Sequence, residues 1–340
     1  MTSTASARMR RTLSTTAARK MAINLLALGI ICLVLSILSP RFASPDNFWN
    51  VLRQISAVLI AGSAVTMLMV SGGLDLSIGG VLALSGVTAA LLSDQMPLPM
   101  AFLIATLVGA GIGLFNGFLT ISIGINAVIA TLGTMYVSRG SALLISNGVP
   151  VFDVPPEFKW LGTGYIGPVP VPVVVAGVCL VVFTILERRT LLGRYSVAVG
   201  SNSTAAQLSG VPMRRTRFIL YTLSGAMAGL AGCVWASRIN SGLSTVGVGF
   251  EFDVIVATLL GGTSLLGGQG TVLGMAVGAL IVGVLNNGLN LLGVQSFWQT
   301  VALGTILVVA VGLDATLRRE DLAVRFRRRR RSAESTTASA

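Results

Sequence analysis

Histidine is absent from this chain of 340 residues, and only 11% of the residues are charged. Without an imidazole, the chain cannot hold a serine–histidine hydrolase site, a histidine metal ligand or a histidine proton relay. The three cysteines, Cys32, Cys179 and Cys233, lie far apart inside apolar runs and have no metal-ligand spacing. They fit buried small hydrophobic side chains. We therefore expect neither an enzyme nor a metalloprotein, and no cofactor in this chain.

A phosphate-binding loop is absent as well. Such a loop reads G-x-x-x-x-G-K-[ST], and the only lysines, Lys20 and Lys159, follow Arg19 and Phe158. Any work driven by ATP and magnesium would need a second polypeptide that binds them. Carriers driven by an ion gradient usually place ionisable groups inside the membrane, and Arg139 is the clearest one here. Arg139 lies near the end of its apolar run, so it also fits a side chain that snorkels outward.

Long apolar runs dominate what is present. Hydrophobic residues make up 53% of the chain, and several runs approach the roughly 20 residues that span a bilayer as a helix. We predict an all-α polytopic membrane protein with about ten transmembrane helices. The eighth is short and interrupted by Gly261-Gly262, and only Gly72-Gly73 separates the second from the third, which makes one of that pair a candidate re-entrant segment. The predicted spans are residues 21–39, 51–71, 74–93, 98–121, 126–146, 168–186, 217–236, 253–267, 271–292 and 296–313.

Basic residues set the expected orientation. Their excess gives a net charge of +12, but they flank the apolar runs, so they predict topology and contact with the lipid bilayer rather than nucleic acid binding. They concentrate in residues 1–20, 187–217 and 316–340. We expect these three segments and both termini to be cytoplasmic, around a transmembrane domain at 21–315. The first span is expected to be retained, and the Arg-rich tail to be disordered near anionic lipid.

A weak internal repeat accompanies these runs. Asn116-Gly117 and Leu132-Gly133-Thr134 recur as Asn287-Gly288 and Leu303-Gly304-Thr305, both 171 positions further along. The corresponding predicted spans run in opposite directions. This indicates an inverted repeat of two five-helix halves, although chance recurrence stays open in a chain so rich in glycine and leucine.

The longest polar interval, residues 187–217, contains a short helix signature. Asn202 is the predicted N-cap, 203–209 the helix, Gly210 its stop, and Pro212 follows. Two interpretations stay open for this interval: a loop that only sets topology, or a docking platform for a soluble partner. The missing phosphate loop favours the second.

Polar side chains inside the spans are candidates for a solute pathway. Amide groups suit hydroxyl-rich solutes, and each one equally fits a hydrogen bond between helices. The candidates are Asn116, Asn286, Asn287, Asn290 and Arg139.

Three blocks of sequence carry a family resemblance. The run Gly72-Gly73-Leu74-Asp75-Leu76-Ser77-Ile78-Gly79 resembles the G-G-I-D-L-S-V-G signature of ribose-type ABC transporter permeases. Residues 200–232 and 260–274, the latter including Gly261 and Gly262, are similar to further parts of these permeases. Leu74 and Ile78 stand where Ile and Val are typical. The resemblance covers about residues 20–315 and marks Gly72, Gly73, Asp75 and Ser77 as signature residues.

The resemblance implies a membrane subunit that works with partners. These are a second permease copy or a paralogue, ABC ATPase subunits that bind ATP and magnesium, and an extracytoplasmic sugar-binding protein. In such permeases the loop matching 200–210 is the coupling helix seated on the ATPase. The residues expected to carry coupling are Gly200, Asn202, Ala205, Ala206, Leu208, Gly210 and Arg214.

The function implied is import of a monosaccharide, a ribose-like pentose or a hexose. Three alternatives stay open. The same machine could carry branched-chain amino acids or nucleosides, because permeases of those importers share the G-G-x-D-L-S theme. A carrier driven by a gradient and a membrane scaffold without transport are the others.

Overall fold

The computed structural model describes residues 21–295, 297–306, 308, 309 and 312. The predictions for residues 1–20 and for the tail 316–340 lie outside the described residues. Two-residue strands β1 (Tyr165–Ile166) and β2 (Val169–Pro170) pair antiparallel in a loop. The helices are α1 (Met21–Leu38), α2 (Pro45–Val70), α3 (Ile78–Leu92), α4 (Leu98–Gly117), α5 (Ala127–Ile145), α6 (Trp160–Thr163), α7 (Val171–Arg189), α8 (Leu191–Ser201), α9 (Ser203–Leu208), α10 (Met213–Ile239), α11 (Phe250–Leu260) and α12 (Val272–Leu291).

The fold is helical and polytopic. Among the described residues, seven helices are apolar and long enough to cross a membrane: α1, α2, α4 with its π-helical extension Phe118–Ile123, α5, α7, α10 and α12. Helices α3 and α11 match the third and eighth predicted spans but are shorter, with 15 and 11 residues. Residues 297–306 are helical and belong to the tenth, part of which lies outside the described residues. The structure thus confirms the class, while the count of ten stays a prediction.

Local sequence explains where several helices begin. Ser44 accepts a hydrogen bond from the Asn47 backbone N–H, and Pro45 follows in the first turn of α2. Asn126 caps α5 and Thr271 caps α12 in the same manner. A side-chain oxygen at these positions satisfies an amide that has no partner within its own helix. These caps fix the ends of the helices against which the interior side chains are placed.

Helix α10 lies at the centre and packs against α2, α3 and α4. Glycines allow the closest of these contacts: Gly109 of α4 and Gly225 of α10 each face the other's backbone carbonyl, with no room for a Cβ. Small residues let helix backbones approach and gain van der Waals contact in a medium that supplies no hydrophobic force between helices. The close α4–α10 pair forms the frame on which the interior polar groups are mounted.

The helix ends fall into two groups. At one end, which we call the basic end, α8 meets the end of α2 and residues 261–270, and α9 follows α8. At the opposite end, which we call the distal end, Val151 pairs with Gly242 in an isolated β-bridge and Gly162 donates to the Ser237 hydroxyl. The two groups of contacts define the axis of the bundle.

The break before α3 differs from the sequence prediction. The third span was expected to begin at residue 74. The helix instead begins at Ile78, and its N-cap is Ser77. The chain turns because Gly72 has φ +79° and the Asp75 carboxylate binds the Ser77 backbone N–H and hydroxyl. Those bonds hold residues 72–77 out of a helix.

The segment before α11 enters the bundle from the distal end. Gly242 packs against Val87 and Ala90 near the end of α3, whereas Gly247 packs against Gly79 and Leu82 near its start. Residues 242–247 therefore run back along α3 toward the basic end. Helix α11 consequently begins deep in the bundle, beside the first turns of α3, and ends at Leu260 ahead of Gly261 and Gly262 as the sequence predicted.

Candidate functional site

The predicted short helix of the basic end is present. Helix α9 begins after Asn202, whose Oδ1 accepts a hydrogen bond from the Ala205 backbone N–H at 2.9 Å. It ends ahead of Gly210, which has φ +77°, a conformation that favours glycine. Leu208 is 85% exposed. Ala205 and Arg214 are exposed too, whereas Ala206 is buried and anchors α9.

Helix α8 was not predicted, and it links this exposed surface to the bundle. Its buried residues Gly193, Ser196 and Val199 recur at helical spacing. Gly193 packs on the backbone of Glu187, and Gly200 packs against the Val70 carbonyl and the Gly268 amide with no room for a Cβ. Movement of α8 would therefore press directly on the end of α2 and on residues 261–270.

Four further hydrogen bonds tie the basic end together. The Gly268 backbone N–H donates to the Val70 carbonyl at 2.8 Å, which joins the end of α2 to the loop after α11. Arg217 of α10 donates to the Ser71 carbonyl from Nε and Nη2, at 3.3 and 3.0 Å. The Glu187 carboxylate accepts from the Val272 backbone N–H at 2.8 Å, at the start of α12. Hence the end of α2 is bonded to α10 and to the loop after α11, and α7 is bonded to the start of α12.

Asp75 lies at the centre of a buried polar network. Its Oδ1 accepts from the Ser77 backbone N–H at 3.0 Å and from the Ser77 hydroxyl at 2.6 Å, and its Oδ2 accepts from the Ser224 hydroxyl at 2.7 Å. Asn116 donates to the Ser77 hydroxyl at 2.8 Å and to Asp75 Oδ1 at 3.4 Å, and accepts from the Thr134 hydroxyl at 2.6 Å. The network joins α3, α4, α5 and α10, and Asp75 is fully buried.

Asn287 belongs to a different interface. Its amide exchanges two hydrogen bonds of 2.9 Å with the amide of Asn47, between α12 and α2. Both side chains are buried. Asn290 is exposed and accepts from Gln299 at 2.6 Å, and Asn286 is partly buried. The structure thus places Asn116 and Asn287 in two separate helix interfaces, each with its amide engaged.

Arg139 reaches into the bundle from α5. Its guanidinium donates to the backbone carbonyls of Val246 and Gly247, both at 3.2 Å. The carboxylate of Glu251, in the first turn of α11, is 95% buried, and its Oε2 finds no hydrogen-bond partner in the described part of the chain. Asp253, two residues further on, is partly buried. Arg139 therefore contacts the segment leading into α11, and both Glu251 and Asp253 lie in the first turn of that helix.

Comparisons with known proteins cover the region that holds all of these groups. The sequence model of the family described as branched-chain amino acid transport system / permease component matches residues 47–311. The chain is 37% identical over 296 residues to the ribose import permease protein RbsC of Haemophilus influenzae, covering 86% of this chain and 92% of that protein. The chain belongs to the ribose-type ABC permease family.

Other relatives agree. The ribose import permease protein of Bacillus subtilis is 39% identical over 292 residues, or 85% of this chain and 91% of that protein. The D-allose transport system permease protein of Escherichia coli is 35% identical over 291 residues, or 84% and 89%. The permease is thus a multi-pass inner-membrane component of an ABC importer and not an enzyme. Its family implies an ATPase and a substrate-binding protein as partners.

Two of the residues that matter in the permease were missed from sequence. Glu251 lies in the run F-E-F-D, which was assigned to a loop because the eighth span was taken to begin at Asp253. Two acids at the start of an apolar run were the available signal, since such groups are costly inside a membrane. Asn47 lacked any signal, because its partner Asn287 is 240 positions away.

Proposed function

We propose that the permease forms the translocation pathway for a monosaccharide, a ribose-like pentose or a hexose, in an importer driven by a partner ATPase. An extracytoplasmic binding protein delivers the sugar at the distal end. ATP and magnesium bind to the ATPase, and a second copy of the permease or a paralogue completes the pathway. The names of the ribose and allose relatives support the substrate class.

The observation that carries the proposal is that α9 has exposed side chains while α8, directly before it, packs against the interior of the bundle. Leu208 and Ala205 face outward, where a soluble partner can seat, and Gly200 touches both Val70 and Gly268 inside. A partner that moves α9 would act on two interruptions of the transmembrane helices at once. Gly200, Asn202, Ala205, Ala206, Leu208, Gly210 and Arg214 form this coupling surface in the proposal.

The proposed topology has ten spans and both termini in the cytoplasm. The basic end is the cytoplasmic end, because the arginines of residues 187–217 lie there. The inverted repeat gains support from the helix starts. Helices α2, α3 and α4 begin at residues 45, 78 and 98, and α10, α11 and α12 begin at 213, 250 and 272, which are 168, 172 and 174 positions further along. These shifts bracket the 171 seen in the sequence.

Reconstitution tests the substrate class. The permease is incorporated in proteoliposomes with its ATPase, and with its binding protein in the lumen or outside as orientation requires. Uptake of labelled D-ribose, D-xylose, D-allose, D-galactose, L-leucine and adenosine is measured with and without ATP. We expect ATP-dependent accumulation of one of the sugars. Accumulation of leucine or adenosine alone would overturn the substrate class, and accumulation by the permease alone on an ion gradient would overturn the ATP-driven mechanism.

Charge insertion tests the coupling surface. Ala205→Arg places a cation on the exposed face of α9, where it should prevent the ATPase from seating. We expect ATP hydrolysis stimulated by the sugar-loaded binding protein to fall to the basal rate, with normal membrane insertion. Ser122→Arg, exposed in the π-helical extension of α4, adds the same charge outside α8 and α9 and should retain stimulation. Full stimulation in Ala205→Arg would refute the docking assignment.

A further inference from the structure

The two short helices, α3 and α11, begin side by side in the interior. The contact between them is made by Gly79, in the first turn of α3, and by Gly247 and Glu251 at the start of α11. A Cβ on Gly79 would collide with Glu251 Oε2 and with the Gly247 carbonyl oxygen. Both oxygens therefore crowd the first turn of α3, where backbone amides lack partners within their own helix.

Glu251 is the unusual member of this contact. It is 95% buried, and among the described residues its Oε2 has no hydrogen-bond partner. A buried carboxylate oxygen without a donor raises the free energy of the folded state, because burial removes its hydrogen bonds to water and the protein supplies none in their place. Structural carboxylates are normally satisfied, as Asp75 is in the same molecule. Glu251 thus has an acceptor available for a donor that comes from outside the chain.

The residues around Glu251 are held in place from several sides. Phe250, the residue before it, packs edge-on against Trp235 of α10 with ring centroids 6.0 Å apart. Arg139 binds the carbonyls of Val246 and Gly247, which fixes the segment leading into α11. The Arg139 cation and the second acid, Asp253, each interact electrostatically with Glu251. Such fixed surroundings are what a binding site requires.

The repeat adds a reason to expect a solute here. In the proposed inverted repeat, α3 and α11 occupy corresponding positions in the two halves, so their meeting point would lie at the interface of the repeats. Transporters built from inverted repeats place substrate at such an interface, near the bilayer midplane, where the ends of discontinuous helices face it. Asp253 and Arg139 are each only partly buried, so this point is not sealed within the bundle.

We infer that Glu251, Asp253 and Arg139 form the sugar-contacting site of the permease at the junction of α3 and α11. The inference rests on the proposed function and gives it a location. The carboxylates accept hydrogen bonds from sugar hydroxyls, and the free guanidinium N–H groups of Arg139 donate to sugar oxygens. The site binds the sugar weakly and for a short time, because Arg139 already donates to two backbone carbonyls and a transported sugar has to be released.

The candidate pathway asparagines differ in whether their amides are already hydrogen-bonded within the protein. The amide of Asn116 is engaged with Asp75, Ser77 and Thr134, and the amide of Asn287 is engaged with Asn47. Their role is to hold helix interfaces on either side of the junction. Only Asn286 and Asn290, on the partly exposed turns of α12, keep room to contact solute.

The test compares uptake with ATP hydrolysis in the complete importer. Glu251→Gln and Asp253→Asn remove the charge and keep the size. In proteoliposomes with ATPase and binding protein, we expect uptake of the sugar that wild-type permease transports best to fall about tenfold, while hydrolysis stimulated by the sugar-loaded binding protein stays within about twofold. Fewer sugars then move for each ATP hydrolysed. Asp94→Asn, in the exposed turn after α3, is the matched control and should leave both rates unchanged.

Selectivity provides the second readout. Single deoxy analogues of the same sugar are compared in wild-type and variant importers, and we expect the variants to lose discrimination at one hydroxyl position. A purely structural role for Glu251, such as compensating the dipole of α3, predicts that uptake and hydrolysis fall together with unchanged selectivity, and this result would overturn the inference. Unchanged uptake in both variants would overturn it too. If wild-type permease moves no sugar, the proposed function itself fails.

Discussion

Two buried carboxylates, Asp75 and Glu251, lie at the starts of the two short helices and differ in how their charge is met. Asp75 is fully buried, with both oxygens hydrogen-bonded to serine hydroxyls or a backbone amide. Glu251 is almost as buried, yet its Oε2 has no partner in the described part of the chain. Burial alone therefore does not distinguish a structural carboxylate from one that is available to a ligand. The number of hydrogen-bond donors that the protein supplies to its oxygens does.

Removing Asp75 should have the largest effect on stability. Asp75→Ala leaves the Ser77 amide, the Ser77 hydroxyl and the Ser224 hydroxyl without their acceptor inside the bundle. We expect the free energy of unfolding to fall by about 3 kcal/mol. Titration of the purified permease with SDS in mixed micelles, followed by tryptophan fluorescence, measures it. Asp94→Asn should change it by less than about 0.5 kcal/mol; an equally small effect of Asp75→Ala would mean that the network is not structural.

Removing one donor of the network should cost less. Ser224→Ala deletes the single hydroxyl that binds Asp75 Oδ2 and leaves the other bonds in place. A hydrogen bond to a charged group is worth about 2 kcal/mol, so we expect a loss of that size in the same SDS titration. Ser36→Ala deletes only a hydroxyl bonded to the carbonyl of Cys32 in its own helix. If both variants lost the same amount, the charge of Asp75 would contribute nothing.

A neutral pair provides the intermediate case. Asn287→Ala leaves the Asn47 amide without either of its two bonds to α12. We expect a loss of about 1 kcal/mol, because amide pairs between membrane helices are worth little more. A double-mutant cycle with Asn47→Ala should give a coupling energy of similar size. Zero coupling would show that the pair does not form, and Asn290→Ala serves as the exposed control.

Glu251→Gln should have the smallest effect. The substitution removes the charge of a carboxylate whose Oε2 accepts no hydrogen bond in the described part of the chain, so no hydrogen bond to Oε2 is lost. We expect the free energy of unfolding to stay within about 1 kcal/mol of wild type, or to rise. A thermal unfolding curve in detergent, followed with a thiol-reactive dye, checks it against Asp75→Ala. A loss as large as that of Asp75→Ala would make the two acids alike and end the comparison.

Much of the fold followed from local pattern. The apolar runs predicted the seven long helices, because a bilayer demands about 20 apolar residues and an internally bonded backbone. The cap at Asn202 and the stop at Gly210 were predicted from residue type, and α9 confirms both. The interruption at Gly261-Gly262 was read correctly as well. These features depend on residues close in sequence, where rules of spacing apply.

The parts that failed depend on distant partners. Helix α8 was missed because Gly193 and Gly200 look like helix breakers, whereas each is a small residue that another backbone packs against. The start of α3 was placed too early because the hydrogen bonds from Ser77 to the Asp75 carboxylate were not weighed against helix propensity. These bonds hold the segment out of a helix. The role of Asn116 as a pathway group stays a prediction, and its contacts to Ser77 and Thr134 could not be foreseen from sequence because they join separate helices.

The hydrogen bond from Gly268 to Val70 has a mechanical consequence. It fastens an interruption in the first half of the chain to one in the second half, and Gly200 rests on both atoms of the bond. In the proposed importer, a displacement of α8 would therefore act on both interruptions together. One ATPase seated beneath one permease would then move an interruption in each half of the chain at the same time.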